Sequence, residues 1–229
     1  MPPNTERTEE NSSTNLSIIK SVIYSNNQRK FAGTIGHIGT TSFYPSKNLG
    51  AIGDAGALIT NDECLGERAR RYANHGALYK HDHEIEGINS RLDGIQAAVL
   101  SLKLNYLRDW NAKRQKIAAR YTERLRATSA IRTPKIQLDC THVFHLYVVS
   151  LRRREHVREA LGEKGISTGI HYPKAVPFLA AYAHLNHQPS DFPIAANLQE
   201  TILSLPLYPE MTLEQADLVA DSIVELLAI

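Results

Sequence analysis

Cysteine, methionine and tryptophan are scarce: two, two and one in 229 residues. Cys64 and Cys140 stand far apart in no metal-binding spacing. That excludes a disulfide framework and a cysteine zinc site, and two free thiols in a reducing compartment are the simple reading. Long apolar runs are missing too; none approaches the ~20 residues a membrane span needs. Neither sign of charge prevails. The formal charge of +2 is too small to argue for nucleic acid or a membrane surface as partner. The basic run at 152–154 reads as a solvated loop or helix start rather than a phosphate-binding patch. The opening "MPPNTERTEENSSTN" has no apolar core, so it reads as a disordered leader and not as a secretory signal. What remains is an ordinary globular composition, 42% hydrophobic and 22% charged. The length suits one large domain or two small ones, with the cytoplasm as default compartment.

Hydrophobic period and turn residues give a coarse order of elements. "LSIIKSVIYS" (16–25) reads as a short strand or helix, and no period decides between them. "SNNQRK" is a polar turn. "IGTTSFY" (38–44) reads as a buried strand ending near Lys47. "AGALIT" (55–60) reads as a second strand, closed by Asn61 and Asp62. A helix is expected over 63–74, stopped by Gly76. Residues 77–91 have no period and read as a loop, and long loops inside compact domains often carry function. From Leu92 the pattern Ile95, Val99, Leu102, Tyr106, Trp110, Ile117, Tyr121, Leu125 predicts one long helix to about Arg126, bent near 109–111. Beyond it the spacing predicts a strand over 142–151, a helix over 154–165, a strand over 166–172, and helices over 177–185 and 193–203. Thr212 and Gln215 form a capping-box pattern before an amphipathic last helix. Strands alternating with helices make this last part a small α/β or α+β domain.

Lys47 follows a strand and precedes Gly50, Gly53 and Gly56. It reads either as a surface lysine at a strand end or as a Schiff-base lysine, whose amine attacks a carbonyl carbon. Ser42, five residues upstream, offers a hydroxyl to a phosphate. The glycines permit close backbone approach to a ligand. "HDH" at 81–83 suggests a metal pair. With no third ligand spaced for zinc, His81 and His83 read as solvated loop histidines, and no metal site is expected.

Four segments in order carry a resemblance. "SFYPSKNLGAIGDAGALITND", "GINSRLDGIQAAVLSLKLNYLRDWNAKRQKIAARY", "GISTGIHYP" and "LSLPLYPEMT" resemble the lysine, G-x-N-x-R-x-D-x-x-Q-A-A, His-Tyr-Pro and Ser-Leu-Pro segments of the DegT/StrS-type pyridoxal-phosphate-dependent sugar aminotransferases. The resemblance covers about residues 32–229. It implies that Lys47 forms a Schiff base with pyridoxal phosphate and then moves protons on the substrate. Ser42 would hydrogen-bond the cofactor phosphate, and Asn89 would reach the phosphate of a neighbouring subunit across a homodimer. Arg91 would face cofactor or substrate, and His171 and Tyr172 would line the sugar pocket. Read without the resemblance, Asn89 and Arg91 cap the long helix and His171 is a satisfied histidine at a strand end. The implied reaction moves an amino group, usually from glutamate, onto a nucleotide-linked keto-sugar. The loop "GALYKHDHEIEGINSRLD" favours the sugar's 3-position.

Departures from the pattern shape the expectation. Family members are longer, with the lysine near their middle. A gapless count back from Lys47 puts Ile18 and Ser21 where the family has the aspartate and glutamine that meet the cofactor ring. The expected fold is therefore α/β, a partial fold-type I (aspartate-aminotransferase-like) large domain followed by a small C-terminal α/β domain. The expected boundaries are 1–30 for the leader, 31–110 for a remnant of the large domain and 111–229 for the small domain. The expected function is that of an N-terminally truncated aminotransferase with impaired activity, half of its site missing. A fragment, a degenerate pseudoenzyme and one half of a two-chain enzyme stay open. The rival is a non-catalytic, dimerising interaction protein of the same fold.

Overall fold

The structure, a computed structural model, describes residues 22–25 and 28–228. Strands β1 (Val22–Ser25) and β2 (Gln28–Phe31) pair antiparallel. Gln28, Arg29 and Lys30, expected in a polar turn, thus lie in a strand, because ladder pairing with an apolar neighbour overrides their weak strand preference. Residues 16–20 of the ambiguous first segment lie outside the described residues, as does residue 21. A second hairpin joins β3 (Gly39–Ser42) to β4 (Gly56–Ile59), with Ser42 opposite Gly56.

Helix α1 (Glu63–Ala73) starts where the Asp62 carboxylate accepts the Leu65 N–H, an ordinary N-cap. It ends at Ala73, and the chain turns away through His75 and the expected Gly76, whose φ of +81° suits a residue without a β carbon. The single long helix expected from Leu92 is two helices, α2 (Gly94–Leu104) and α3 (Leu107–Leu125). The break falls at 105–106, earlier than the bend read at 109–111. There the Asn105 side chain donates to the carbonyls of Ser101 and Leu102. It satisfies acceptors that a continuing helix would have used.

By packing, the chain divides into two compact units. One holds the described residues up to Trp110 together with Ile136–Val143; the other holds Asn111–Lys135 and the chain from Phe144 onward. In the first unit Leu49, Ala51, Leu100 and Leu107 form the buried cluster, with Phe43, Ala55 and Leu104 against it. Helix α1 buries no residue.

The second unit is built on an antiparallel sheet of β5 (Ile131–Arg132), β6 (Tyr147–Leu151) and β7 (Ile202–Leu205), in the order β5-β6-β7. Strict alternation in β6 sends Tyr147, Val149 and Leu151 inward, as a strand's period of two requires. They meet Tyr121 and Leu125 of α3, Val157 and Leu161 of α4 (Arg154–Glu163) and Ala216, Ala220 and Ile223 of α6 (Leu213–Leu227). The Tyr121 hydroxyl donates to the Pro206 carbonyl at 2.9 Å. Arg114, 7% exposed, donates to the carbonyls of Phe144, His145 and Leu207. Burial draws its pKa down, and Glu210 opposes that shift.

The expected capping box is present: the Thr212 side chain takes the Gln215 N–H, and Gln215 reaches back to the Thr212 N–H. The strand expected over 166–172 is absent; that segment's backbone pairs with β7 through a single bridge between Gly169 and Ser204. The place beside β6 is filled by β7, whose first two residues, Ile202 and Leu203, the sequence reading had placed at the end of a helix. That helix, α5 (Pro193–Thr201), ends before them. The helix read over 177–185 is a pair of short tight turns, Val176–Phe178 and Ala180–Leu185. No helix among the described residues is long and apolar enough to cross a membrane.

Candidate functional site

Lys47 sits on the turn that leaves β3. Its N–H donates to the Tyr44 carbonyl at 2.8 Å, and Pro45 at the second position of that four-residue turn presets the backbone. The lysine is half-buried. The turn is pinned on several sides. Leu49 and Ala51 insert into the first unit's core. The Lys103 ammonium donates to the Gly50 carbonyl at 2.8 Å. Gln96 accepts the N–H groups of Ile52 and Gly53 through one oxygen, at 3.0 and 3.1 Å. The Asn48 amide donates to the Val143 carbonyl at 3.0 Å. A β carbon on Gly50 would stand 2.3 Å from the Pro45 carbonyl oxygen, so only glycine closes this turn. Gly53 likewise lies against Gln96 and Gly56 against the Thr41 carbonyl. The glycines therefore serve the close packing of the chain on itself, where the sequence reading had them approach a ligand. Ser42, at the end of β3, is exposed, and its hydroxyl accepts the Tyr44 N–H at 3.2 Å.

Asn89 and Arg91 lie at the end of the loop that follows α1. That loop folds back along the helix end: Ile88 donates to the Tyr72 carbonyl, His75 to that of Ile88, and Ser90 to that of Ala73. The Arg71–Glu84 ion pair at 3.2 Å ties its middle. Arg91 bridges two asparagines, its Nε donating to Asn89 Oδ1 and its Nη1 to Asn74 Oδ1, both at 3.1 Å. With its oxygen so engaged, Asn89 offers its NH2 as a donor. Neither residue caps a helix. Asp93 holds the N-cap position of α2, without a side-chain cap bond, so the capping reading of Asn89 and Arg91 does not hold. His83 donates to the His75 carbonyl at 2.8 Å. No group of three metal-ligating side chains occurs among the described residues.

His171 and Tyr172 belong to the second unit. The His171 Nδ1 and the hydroxyl of buried Ser204 share a hydrogen bond of 2.8 Å, which leaves Nε2 as the outward nitrogen. The rings of His171 and Tyr172 meet edge to face at 5.5 Å, and Tyr172 is 69% exposed. Among the described residues the first unit thus supplies an amine on a pinned turn, a hydroxyl on the adjoining strand end and an outward amide. Those are the groups a phosphorylated aldehyde requires, and the residues fit pyridoxal phosphate. Sequence reasoning missed Gln96 and Lys103, which hold the lysine turn, and Ser204, which orients His171. Gln96 stands in the quoted Q-A-A segment, so its signal was present.

A family profile described as the DegT/DnrJ/EryC1/StrS aminotransferase family matches residues 20–224. The chain is 44% identical over 176 residues to the erythromycin biosynthesis sensory transduction protein EryC1 of Saccharopolyspora erythraea, covering 77% of this chain and 48% of that protein. It is 41% identical to the dTDP-3-amino-3,4,6-trideoxy-alpha-D-glucose transaminase of Streptomyces venezuelae, covering 80% and 48%. The crystal structure of S. venezuelae DesV in complex with a ketimine intermediate superimposes with a TM-score of 0.82 at 39% identity, covering 87% of this chain and 53% of that one. NtdA of Bacillus subtilis, solved with bound cofactor PMP, gives a TM-score of 0.76 at 30% identity, over 86% and 47%. The chain spans about half the length of the curated relatives it matches.

These matches correct the sequence reading. The resemblance is not confined to a C-terminal portion over residues 32–229, since the family match begins at residue 20. A fold-type I aminotransferase-like architecture spans nearly the whole of this chain, in place of a partial large domain. The family match over residues 20–224 lends no support to the expectations of truncation with impaired activity and of a site lacking its N-terminal half. Those expectations rested on the greater length of family members and on a gapless count from Lys47 back to Ile18 and Ser21; both positions lie outside the described residues.

Proposed function

The chain belongs to the DegT/DnrJ/EryC1/StrS aminotransferase family, and from that premise we propose that it is a pyridoxal-phosphate-dependent aminotransferase acting on a nucleotide-linked keto-sugar. The observation that carries the proposal is the Lys47 turn, a half-buried lysine between the exposed Ser42 and a segment pinned by Lys103 on the Gly50 carbonyl and by Gln96 on the Ile52 and Gly53 N–H groups. When bound, pyridoxal phosphate supplies a reactive carbonyl carbon and an electron-withdrawing ring. Lys47 holds that group through its Nζ and carries a proton there to and from the substrate. Ser42 donates its hydroxyl to the phosphate. Arg91 fixes the Asn89 oxygen and so turns the Asn89 NH2 toward a phosphate.

In a homodimer this Asn89 serves the second copy's cofactor. Support for a second copy comes from the exposed apolar residues near it, Ile88 at 47%, Ile95 at 63% and Leu102 at 65%; the last two, seven apart, share one face of α2. His171, oriented by Ser204, and Tyr172 bind the sugar. Glutamate is the amino donor. The first unit, up to Trp110 with Ile136–Val143, is read as the large domain and the second as the small one. The free thiols of Cys64 and Cys140 suit a reducing cytoplasm.

The keto group acted on is at the sugar's 3-position. The name of the S. venezuelae transaminase relative places the amino group there in that protein's product. The purified chain, with pyridoxal phosphate and glutamate, is offered a nucleotide-linked 3-keto-sugar and its 4-keto isomer. Amino-sugar from the 3-keto compound, lost in Lys47→Ala, is the expected result. Turnover of the 4-keto isomer alone overturns the 3-position, and turnover of neither overturns the activity.

A further inference from the structure

The second unit contains a cavity of about 570 Å³, and none of the candidate site residues lines it. Three arginines from two separate places in the sequence line it. Arg132 comes from β5, where it pairs opposite Ser150 of β6. Arg152 and Arg153 come from the turn between β6 and α4. Among the described residues no carboxylate side chain lines the cavity, and none of the three arginines has an ion-pair partner. Arg154, next in the chain, shows the contrast: it is buried and donates to the carbonyls of Gln199 and Ile202. The basic run at 152–154 is therefore two different things. One arginine is a structural tie, and two turn into a concavity where Arg132 joins them.

Three like charges around one hollow repel one another and focus a positive potential into it. An anion relieves that repulsion, and guanidinium forks match phosphate oxygens two at a time. The volume lies in the range of small-molecule sites and exceeds what a single phosphate fills. The lining also includes the apolar residues Leu151, Val157, Leu226 and Leu227 and the polar residues His156 and Asn197. A flat ring would meet the apolar part of that lining. We propose that this cavity binds a small polyphosphorylated ligand of the nucleotide class, at a site separate from the Lys47 chemistry.

The test is calorimetric titration of the purified chain with inorganic pyrophosphate and with thymidine diphosphate, at physiological salt. The variants are Arg132→Gln/Arg152→Gln/Arg153→Gln and, as a control, Arg158→Gln, an exposed α4 arginine that does not line the cavity. Saturable binding is expected, weakened at least tenfold by the triple variant and unchanged by Arg158→Gln. Tighter binding of the nucleotide than of pyrophosphate assigns the apolar part of the lining to the base; equal binding makes polyphosphate itself the ligand. The proposal is overturned by equal binding to all three proteins, by no saturable binding, or by binding confined to RNA or anionic vesicles. Melting curves of the variants confirm that they fold. Cofactor labelling at Lys47, read in the same samples, separates failure of this site from failure of the aminotransferase reading.

Discussion

The two units of the chain are held together by different means. In the second, one continuous apolar core joins β6, β7, α3, α4 and α6 around Tyr121, Tyr147, Leu161 and Ile223. In the first, the buried cluster is small and α1 contributes nothing to it. Yet the first carries Lys47, Ser42, Asn89 and Arg91. It positions them by directed polar contacts: Gln96 and Lys103 on the lysine turn, Arg91 between Asn74 and Asn89. Apolar burial is non-directional and sets stability, whereas hydrogen bonds at fixed geometry set where a reacting atom sits. A substitution in the second unit should therefore move stability and spare the lysine turn. One in the first should do the reverse.

The largest effect is expected from Leu161→Ala. It removes a side chain that is 0% exposed and should cost about 2–5 kcal/mol, read as a lower urea midpoint, with cofactor capture by Lys47 retained in the folded fraction. Gly50→Ala sharpens the other arm. Its methyl group would collide with the Pro45 carbonyl and displace the turn. Amino transfer should fall by about 100-fold with little change in the urea midpoint. An equal loss of stability would break the comparison. Thr212→Ala removes the α6 capping box and should cost about 1 kcal/mol, again without effect on Lys47. The smallest effect concerns Asp217. Hydrogen bonds from Arg120, then the charges of Arg120 and Arg124, hold its carboxyl below the usual range. A carboxyl depressed in the folded state adds stability above its unfolded pKa and loses it as pH falls through the folded one. The urea midpoint of the wild type should exceed that of Asp217→Asn near pH 7, and the gap should close in acid. The pair reaches solvent, so the gap is small.

What the sequence made legible follows from where its signals are local. The ends of α1 and α6 were readable because a cap lies within a few residues of what it caps: Asp62 and Leu65, Thr212 and Gln215. Lys47 and Ser42 were readable because strand, turn and glycines stand together. Of the second unit's sheet only β6 was, within the strand read over 142–151. β5 has two residues, and β7 is an apolar run continuous with α5. Only pairing with β6, about twenty residues from β5 and about fifty from β7, makes either a strand, and such pairing has no local signature. The helix break at Asn105 was hidden because the hydrophobic period continues across it. Gln96 and Lys103 lay on a helix face that reads as surface, and what they hold is distant in sequence. Arg132 and Arg152 show the same limit, since two separated arginines become one cavity wall only through the β5–β6 pairing.

The central claim is that the turn at Lys47 holds pyridoxal phosphate. The purified chain is incubated with the cofactor and reduced with borohydride, and the adduct is located by peptide mass, with Lys47→Ala as control. A stoichiometric adduct on the peptide containing Lys47, absent from the variant, is the result expected. No adduct, or label spread over many lysines and unchanged in Lys47→Ala, would contradict the account.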